Sequence, residues 1–166
     1  MNTYWLKYPV RTGVGHRHSL RLEGGDASFR YAAGLSYNHV AGTMKGSDRI
    51  TVNGNVFLSY NYKNLTFQND LQVSNNKAKN SPYGTFSDFS QINSYLKPYD
   101  DEGNILKYAD NETYSTTQTI NPLYNALLPY KNETKYTSIT DNFSIEWRIL
   151  PELTARGTFS FTSQNN

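Results

Sequence analysis

The chain has 166 residues, a formal net charge of +2 and no cysteine. So small a net charge points to no nucleic acid or other charged partner, and the lack of cysteine excludes a disulfide framework and a thiolate metal site. Mean hydropathy is −0.70 and no run approaches the roughly 18 apolar residues of a membrane helix, yet Tyr 14, Phe 8 and Trp 2 make the chain rich in aromatics.

Residues 1–15 read as irregular, with Pro9, Gly13 and Gly15 as breakers. A first strand is predicted over 17–23, where Arg17, Ser19, Arg21 and Glu23 alternate with His18, Leu20 and Leu22. Gly24-Gly25-Asp26 is a tight-turn signal. A second strand, 28–39, sets Phe29, Tyr31, Ala33, Leu35 and Tyr37 against Ser28, Arg30, Ala32, Gly34 and Ser36. Residues 41–48 form a looser polar loop. A third strand, 49–62, places Ile50, Val52, Val56, Leu58, Tyr60 and Tyr62 on one parity, with Phe57 as an apolar intruder on the other. Lys63-Asn64 is a short turn before a fourth strand, 65–74, with Leu65, Phe67, Leu71 and Val73 on its apolar side. Residues 75–135 read as one long polar loop. A fifth strand, 136–149, alternates Ile139, Phe143, Ile145, Trp147 and Ile149 with Ser144, Glu146 and Arg148. Leu150-Pro151-Glu152 is a turn, and a sixth strand, 153–162, carries Leu153, Ala155, Phe159 and Phe161.

Side chains alternate faces along a strand, so each segment has one apolar and one polar face. Twelve residues at ~3.3 Å reach about 40 Å, longer than the five or six residues of an ordinary strand. A tilted strand that crosses a membrane needs about nine to eleven. Low hydropathy with many aromatics in long alternating strands is the pattern of a membrane barrel, whose strands face lipid on one side and water on the other. The connections run short, medium, short, very long, short, so in a meander one end holds the tight turns and the other the long loops, as in outer-membrane barrels. The predicted fold is therefore all-β: an antiparallel up-and-down meander of about six strands, a partial transmembrane β-barrel with one long extracellular loop. Six strands leave open edges, untenable in lipid, so the chain is expected to be a piece of a larger barrel. The start carries no apolar signal-peptide core; since a barrel protein must be exported, more chain is expected before Met1, or Met1 is an internal start.

The order of segments resembles the barrel region of SusC/RagA-type TonB-linked outer-membrane proteins of Bacteroidetes. The stretches that carry the resemblance are NTYWLKYPVRTG, HSLRLEGGDASFRYAAGLSYNHVAGTMKGSDR, YKNLTFQNDLQVSNNKAKNSPYGTFSDF, LKPYDDEGNILK, NPLYNA and NFSIEWRILPELTARGTFSF. The most specific is the GGD turn, the aromatic strand and the AGTMKGSDR loop after it. The resemblance covers nearly the whole of 1–166. It implies a TonB-dependent receptor of about 22 strands, located in the outer membrane of a Gram-negative cell. Such a protein imports glycans or peptides under a SusD-like lipoprotein lid, driven by the TonB complex through a plug domain. The plug and most strands lie outside this sequence, which would supply part of the wall and outer mouth and contact outer-membrane lipid. A soluble carbohydrate-binding β-sandwich and a non-transporting surface adhesin are the alternatives.

Candidate chemistry is sparse, and no enzyme or cofactor motif is found. His16 and His18 form an HxH pair, but a metal needs three or four convergent ligands and only His39 remains; they read as solvated residues near a strand end. Asp100-Asp101-Glu102-Gly103-Asn104 fails the register of a calcium loop and reads as an acidic turn. Arg30, Arg49, Arg148, Arg156, Asp70 and Glu146 share the polar parity and are expected to face a lumen. The long loop is dense in aromatics: Tyr83, Phe86, Phe89, Tyr95, Tyr99, Tyr108, Tyr114, Tyr124 and Tyr130. Tyr83, Tyr95, Tyr99 and Tyr124 are candidates for substrate stacking, against a loop that folds on itself. Tyr37, Tyr60, Tyr62 and Trp147 are expected to form an aromatic girdle. Asn69 and Asp141 fit badly, since both fall on the apolar parity.

Overall fold

The computed structural model describes residues 2–110, 119–129 and 131–166. In chain order the elements are a 3-10 turn (Trp5–Lys7), β1 (Val14–Gly25), β2 (Phe29–Ala41), β3 (Asp48–Tyr62), β4 (Leu65–Lys79), α1 (Phe86–Ser90), β5 (Lys97–Tyr99), β6 (Ile105–Asp110), β7 (Thr119–Ile120), α2 (Pro122–Asn125), β8 (Glu133–Leu150) and β9 (Leu153–Asn165). The six long strands form one sheet in the order β1-β2-β3-β4-β8-β9, and β5-β6-β7 form a second, small sheet. The six-stranded sheet is an antiparallel meander, as the alternation predicts.

The chain divides into two compact units. The first comprises Met1–Gly15, Val40–Arg49 and Ala78–Glu133; the second comprises His16–His39, Ile50–Lys77 and Thr134–Asn166.

The second unit holds most of the large sheet. Three of its hairpins turn tightly. At the first, the Asp26 carboxylate accepts the N–H groups of Ser28 (2.7 Å) and Phe29 (2.8 Å). Those bonds, Phe29 first, hold its pKa below the ordinary carboxylate range. Because the folded value is depressed, this support is present above pH ~4 and is lost as pH falls through the lowered value. Gly25 has φ +129°, and a Cβ there would lie 2.1 Å from the Phe29 carbonyl oxygen. Gly24 lies under the Tyr31 ring: a Cβ there would meet the ring at 2.7–3.3 Å, so the ring would have to move aside. The aromatic ring covers backbone that glycine leaves bare.

The β8–β9 register keeps the faces separate. Phe143 opposes Phe159 and Trp147 opposes Ala155 on one face, while Glu146 opposes Arg156 and Asn142 opposes Ser160 on the other. A one-residue slip would exchange the faces.

All six strands are longer than hydropathy alone predicts or differ from it at their ends. The clearest case is β4, which runs to Lys79 rather than stopping at Ser74. Its last residues do not alternate, yet the Asn76 Oδ1 accepts the Thr51 hydroxyl at 2.8 Å and Asn75 Nδ2 donates to Thr137 Oγ1 at 2.8 Å. Strand pairing serves the backbone whatever the side chains are; alternation marks only the stretch that has an apolar face.

Residues 1–15 are not simply irregular: Trp5 joins the core of the first unit. The described part of 75–135 folds on itself, one of the two readings of its aromatics, with short strands and helices of its own. Trp5, Phe89, Leu96, Ala109 and Leu123 pack into a buried cluster, with Trp5 3% and Phe89 1% exposed. The Trp5 indole N–H donates to the Asn93 carbonyl at 3.2 Å. The 40–49 segment joins them: Arg11 donates to the carbonyls of Gly42 and Ser47, both at 3.1 Å, and the Ser81 hydroxyl donates to Lys45 O at 2.7 Å. Spacing could not reveal this core because its members come from separate segments and no local period links them.

Asn121 is the polar anchor of this unit. It is fully buried. Its Nδ2 donates to the carbonyls of Pro98 and Leu106, both at 2.8 Å, and its Oδ1 accepts the Leu123 N–H at 3.1 Å, capping α2. One side chain thus satisfies backbone groups of three separate stretches.

Asn121→Ala should cost the first unit roughly 3 kcal/mol or more, since each orphaned buried polar group costs about 1–3 kcal/mol. Urea denaturation followed by protease sensitivity at 80–132 measures it; an unchanged midpoint would show that Asn121 is not the anchor. Gly25→Ala should cost about 1–3 kcal/mol through strain at positive φ, read as a lower urea midpoint of the large sheet.

Candidate functional site

The two faces of the large sheet are the chemically distinct surfaces of this molecule. On the apolar face, side chains from every long strand stay exposed: Leu20 is 61%, Leu35 57%, Trp147 49% and Phe159 68% exposed, and Leu58 and Phe143 are also uncovered. Burying one such side chain is worth about 1.5–3 kcal/mol, so this face needs an apolar medium or a partner along its whole length.

The aromatics on that face are not scattered. Phe29 and Tyr31 at the start of β2 lie 6.1 Å apart, and Tyr60 stacks with Tyr62 and with Phe67, both at 6.5 Å. With Trp147 near the end of β8, they mark the strand ends beside the tight turns. Tyr37 stands at the other end of β2, 5.8 Å from His16. The predicted girdle residues therefore divide between two ends of the sheet.

Asn69 and Asp141, the two residues that broke the pattern, meet. Asn69 Nδ2 donates to Asp141 Oδ1 at 2.6 Å, across the seam of β4 and β8. Sequence spacing could not pair residues on strands separated by the whole of 80–132.

The polar face is lined with hydroxyls, amides and charges that bond to one another. Asn53 Oδ1 accepts the Ser74 hydroxyl at 2.7 Å, Ser74 accepts from Asn76 at 3.0 Å, and Asn53 Nδ2 reaches Ser36 at 3.4 Å. Beside this ladder lies an open hollow of ≈ 520 Å³ bordered by Arg21, Asn53, Phe57, Asp70, Gln72 and Thr140. Phe57, the apolar intruder, thus borders the polar hollow. Asp70 accepts from Gln72 at 3.0 Å, Arg156 Nε donates to Glu146 at 3.1 Å, and Arg21 pairs with Glu23 at 3.0 Å. Arg30 borders an adjoining hollow near the first turn. Arg148 and Arg49 are exposed.

The four stacking candidates do not form one open platform. Tyr83 and Tyr99 pack against the core of the first unit, Tyr83 with its ring 6.3 Å from Phe89 and Tyr99 5.8 Å from Tyr8. Burial, and then the neighbouring Tyr8, push the Tyr99 phenol up. Tyr124 sits half-buried in α2, and Tyr95 is 77% exposed. Tyr114 and Tyr130 lie outside the described residues.

The Asp100 carboxylate accepts N–H groups from Glu102 (3.0 Å) and Asn104 (2.7 Å) and the Asn104 side chain (3.1 Å). These bonds, Asn104's first, lower its pKa. The acidic run closes a turn between β5 and β6. Among the described residues no group of three or more His, Asp or Glu is arranged to hold a metal ion.

With this geometry, the chain is similar to solved structures, among them the following two. One is a RagAB peptide importer in a closed-closed state, with TM-score 0.70 and 15% identity, over 99% of this chain and 19% of that one. The other is a RagAB peptide transporter, with TM-score 0.70 and 16% identity, over 99% of this chain and 20% of that one. The chain spans about a fifth of the length of each. At such identity the likeness is one of fold: this chain folds like one stretch of those larger chains. No family model matches the chain, and no curated protein matches it.

The Asn69–Asp141 pair yields a prediction. Asn69→Leu alone should destabilise the sheet by about 1–3 kcal/mol by leaving the carboxylate unpartnered, whereas N69L/D141L should be close to neutral or stabilising. A double-mutant cycle in urea tests this; additive single effects would show that the two side chains do not act as a pair.

Proposed function

We propose that this chain is a section of the wall and outer mouth of a TonB-dependent outer-membrane importer of the SusC/RagA type. The observation that carries the reading is the uncovered apolar parity of six long strands, beside an opposite face whose polar groups bond to each other around a hollow. A sheet with one oily and one wet face suits a boundary between hydrocarbon and a water-filled lumen. Lipid would cover Leu20, Leu58, Phe143 and Phe159; Arg30, Asp70, Glu146, Arg148 and Arg156 would face the lumen. The tight turns at 26–28, 63–64 and 151–152 would be periplasmic. The connections at 42–47 and 80–132 would lie outside the cell.

The likeness to RagAB importer chains supports this, as does the segment order read from the sequence. Both outer edges of the sheet, β1 and β9, are exposed throughout or nearly so, which suits strands that continue a larger barrel. The activity then belongs to the whole assembly: substrate, peptide or glycan, passes through the lumen when a plug is displaced by the TonB complex, under a SusD-like lipoprotein. This section contributes wall, mouth and hydrogen-bonding surface, and no catalytic step. The β-sandwich alternative requires a second sheet over the apolar face, and the exposure of that face weighs against it.

The chain's two tryptophans test the reading. Trp147 stands on the apolar face and Trp5 in the core of the first unit. In bilayers carrying brominated acyl chains, with this section reconstituted as part of its complete barrel, Trp147 emission (isolated in a Trp5→Phe variant in which tryptophans elsewhere in the barrel are also replaced by Phe) should be strongly quenched. Trp5 emission in a Trp147→Phe variant should be nearly unaffected. A Trp147 signal indifferent to bromine, from protein that stays monomeric without detergent, would rule out the bilayer assignment.

A further inference from the structure

We propose that Lys77 and Lys135 hold the phosphate of an outer-leaflet lipid, one of whose acyl chains lies in an apolar dent beside Gly54. The inference rests on the bilayer reading above and adds a ligand to it.

Strand pairing brings the two lysines together. Both fall in the stretch that reads as a polar loop, yet β4 runs to Lys79 and β8 starts at Glu133. Asn75 Nδ2 donates to Thr137 Oγ1 at 2.8 Å between those strands. Two residues on, antiparallel pairing sets Lys77 opposite Lys135, on the parity of Val73 and Ile139. Both lysines are exposed, and among the described residues neither takes part in an ion pair. Residues directly opposite have Cβ atoms about 4.5–5.5 Å apart, and like charges so placed are destabilising.

The neighbouring charges do not relieve them. On the other side of β4, the Thr51–Asn76 bond (2.8 Å) and the Asn53–Ser74 bond (2.7 Å) fix the register and set Ile50 beside Lys77. By the same register Lys79 stands opposite Asp48. The Asn80 N–H donates to the Asn132 carbonyl at 3.0 Å, which keeps Lys79 opposite Glu133. Glu133 is paired with Lys131 at 3.7 Å, and Asp48 already has a partner. The row through Lys79 thus has its carboxylates, while the row of Ile50, Lys77 and Lys135 holds two cations and no anion. The histidines, gathered with His16 5.3 Å from His18 and 5.1 Å from His39, are assigned no ligand, since His39 also has a partner.

Height on the sheet selects the ligand. Phe67 belongs to the aromatic band beside the tight turns, and Lys77 lies ten residues further along β4. At ~3.3 Å per residue that is about 33 Å, and a strand tilted by ~40° rises about 25 Å over it, the height of the apolar band of an outer-membrane barrel. The lysines therefore face outward at the water interface on the side of 80–132, where lipid headgroups are the anions at hand. A phosphate offers several strong acceptor oxygens, so two ammonium groups can share it.

The same face is dented nearer the bilayer centre. A hollow of ≈ 250 Å³ is bordered by Leu20, Leu35, Gly54, Val56, Leu71 and Val73. Gly54 stands between Val52 and Val56 on the apolar parity, and its missing side chain opens the space. Val73 precedes Lys77 by four residues on β4, about 13 Å. A lipid whose phosphate sits on the lysines has this recess within reach of its acyl chains.

The test reconstitutes the complete barrel that contains this section, native and as K77Q/K135Q and Gly54→Leu variants. Glutamine removes the charges from exposed positions. A Cβ at Gly54 meets nothing nearer than the Gly34 carbonyl oxygen at 4.0 Å, so leucine fills the dent without a backbone clash. The vesicles are phosphatidylcholine doped with diphosphoryl lipid A, or with the same lipid stripped of its phosphates. Native mass spectrometry counts the lipids retained per barrel. K77Q/K135Q should lose one diphosphoryl lipid A, its affinity falling about tenfold or more, since a hydrogen bond to a charged group is worth roughly that factor. Its retention of the stripped lipid should match the native barrel's. Gly54→Leu should weaken retention of both lipids. Equal retention of diphosphoryl lipid A by the native barrel and K77Q/K135Q overturns the proposal. So does its displacement by millimolar inorganic phosphate, which would assign the lysines to a free ion. Unchanged retention by Gly54→Leu overturns the assignment of the dent. Bromolipid quenching of Trp147, read as above in each background, shows whether the barrel is inserted, so failure of the bilayer reading is told apart from failure of this one. If K77Q/K135Q does not insert, K135Q alone decides by the same criteria.

Discussion

One constraint governs this molecule: a two-faced sheet has to satisfy two unlike surroundings at once. Strand geometry sends successive side chains to opposite sides, so a period-two sequence becomes two surfaces without further instruction. What keeps those surfaces distinct is register. Phe143 opposite Phe159 and Glu146 opposite Arg156 are the same fact seen from two sides. The tight turns at Asp26, Lys63 and Pro151 hold their own strand pairs in step, because a short turn leaves few alternatives.

The β4–β8 seam lacks that help. Its strands are joined through 80–132, which cannot set register as a two-residue turn does. Side chains there do the work instead. Asn69 reaches Asp141 at 2.6 Å, and Asn75 reaches Thr137 at 2.8 Å. The polar pair that violates the apolar pattern thus stands where the fold has least local guidance, and its two members satisfy each other rather than facing an apolar surrounding alone.

The insertion obeys a different logic. A polar stretch of that length with scattered aromatics can remain ordered only by building a core of its own. It does so by borrowing: Trp5 from the start of the chain, the 40–49 connection, and Phe89, Leu96, Ala109 and Leu123 from within. Asn121 then ties backbone from three places. Much of the aromatic content that suggested stacking surfaces is spent on this packing, Tyr83 and Tyr99 included. The same side-chain type serves as core in one unit and as an exposed band in the other because one is surrounded by protein and the other by whatever covers the sheet.

The sequence by itself determined the strands and their two faces, because alternation is local and each residue reports its own side. It also determined the rhythm of short and long connections, since Gly24-Gly25-Asp26 and Pro151 act within a few residues of themselves. Only the tertiary structure decided which residues meet across distance. The third histidine beside His16 and His18, the Asn69–Asp141 bond, the composite core around Trp5 and the continuation of β4 to Lys79 all arise from pairing between segments far apart in the chain. No periodicity encodes such pairing; it comes from hydrogen bonds and packing that exist only once the strands lie side by side.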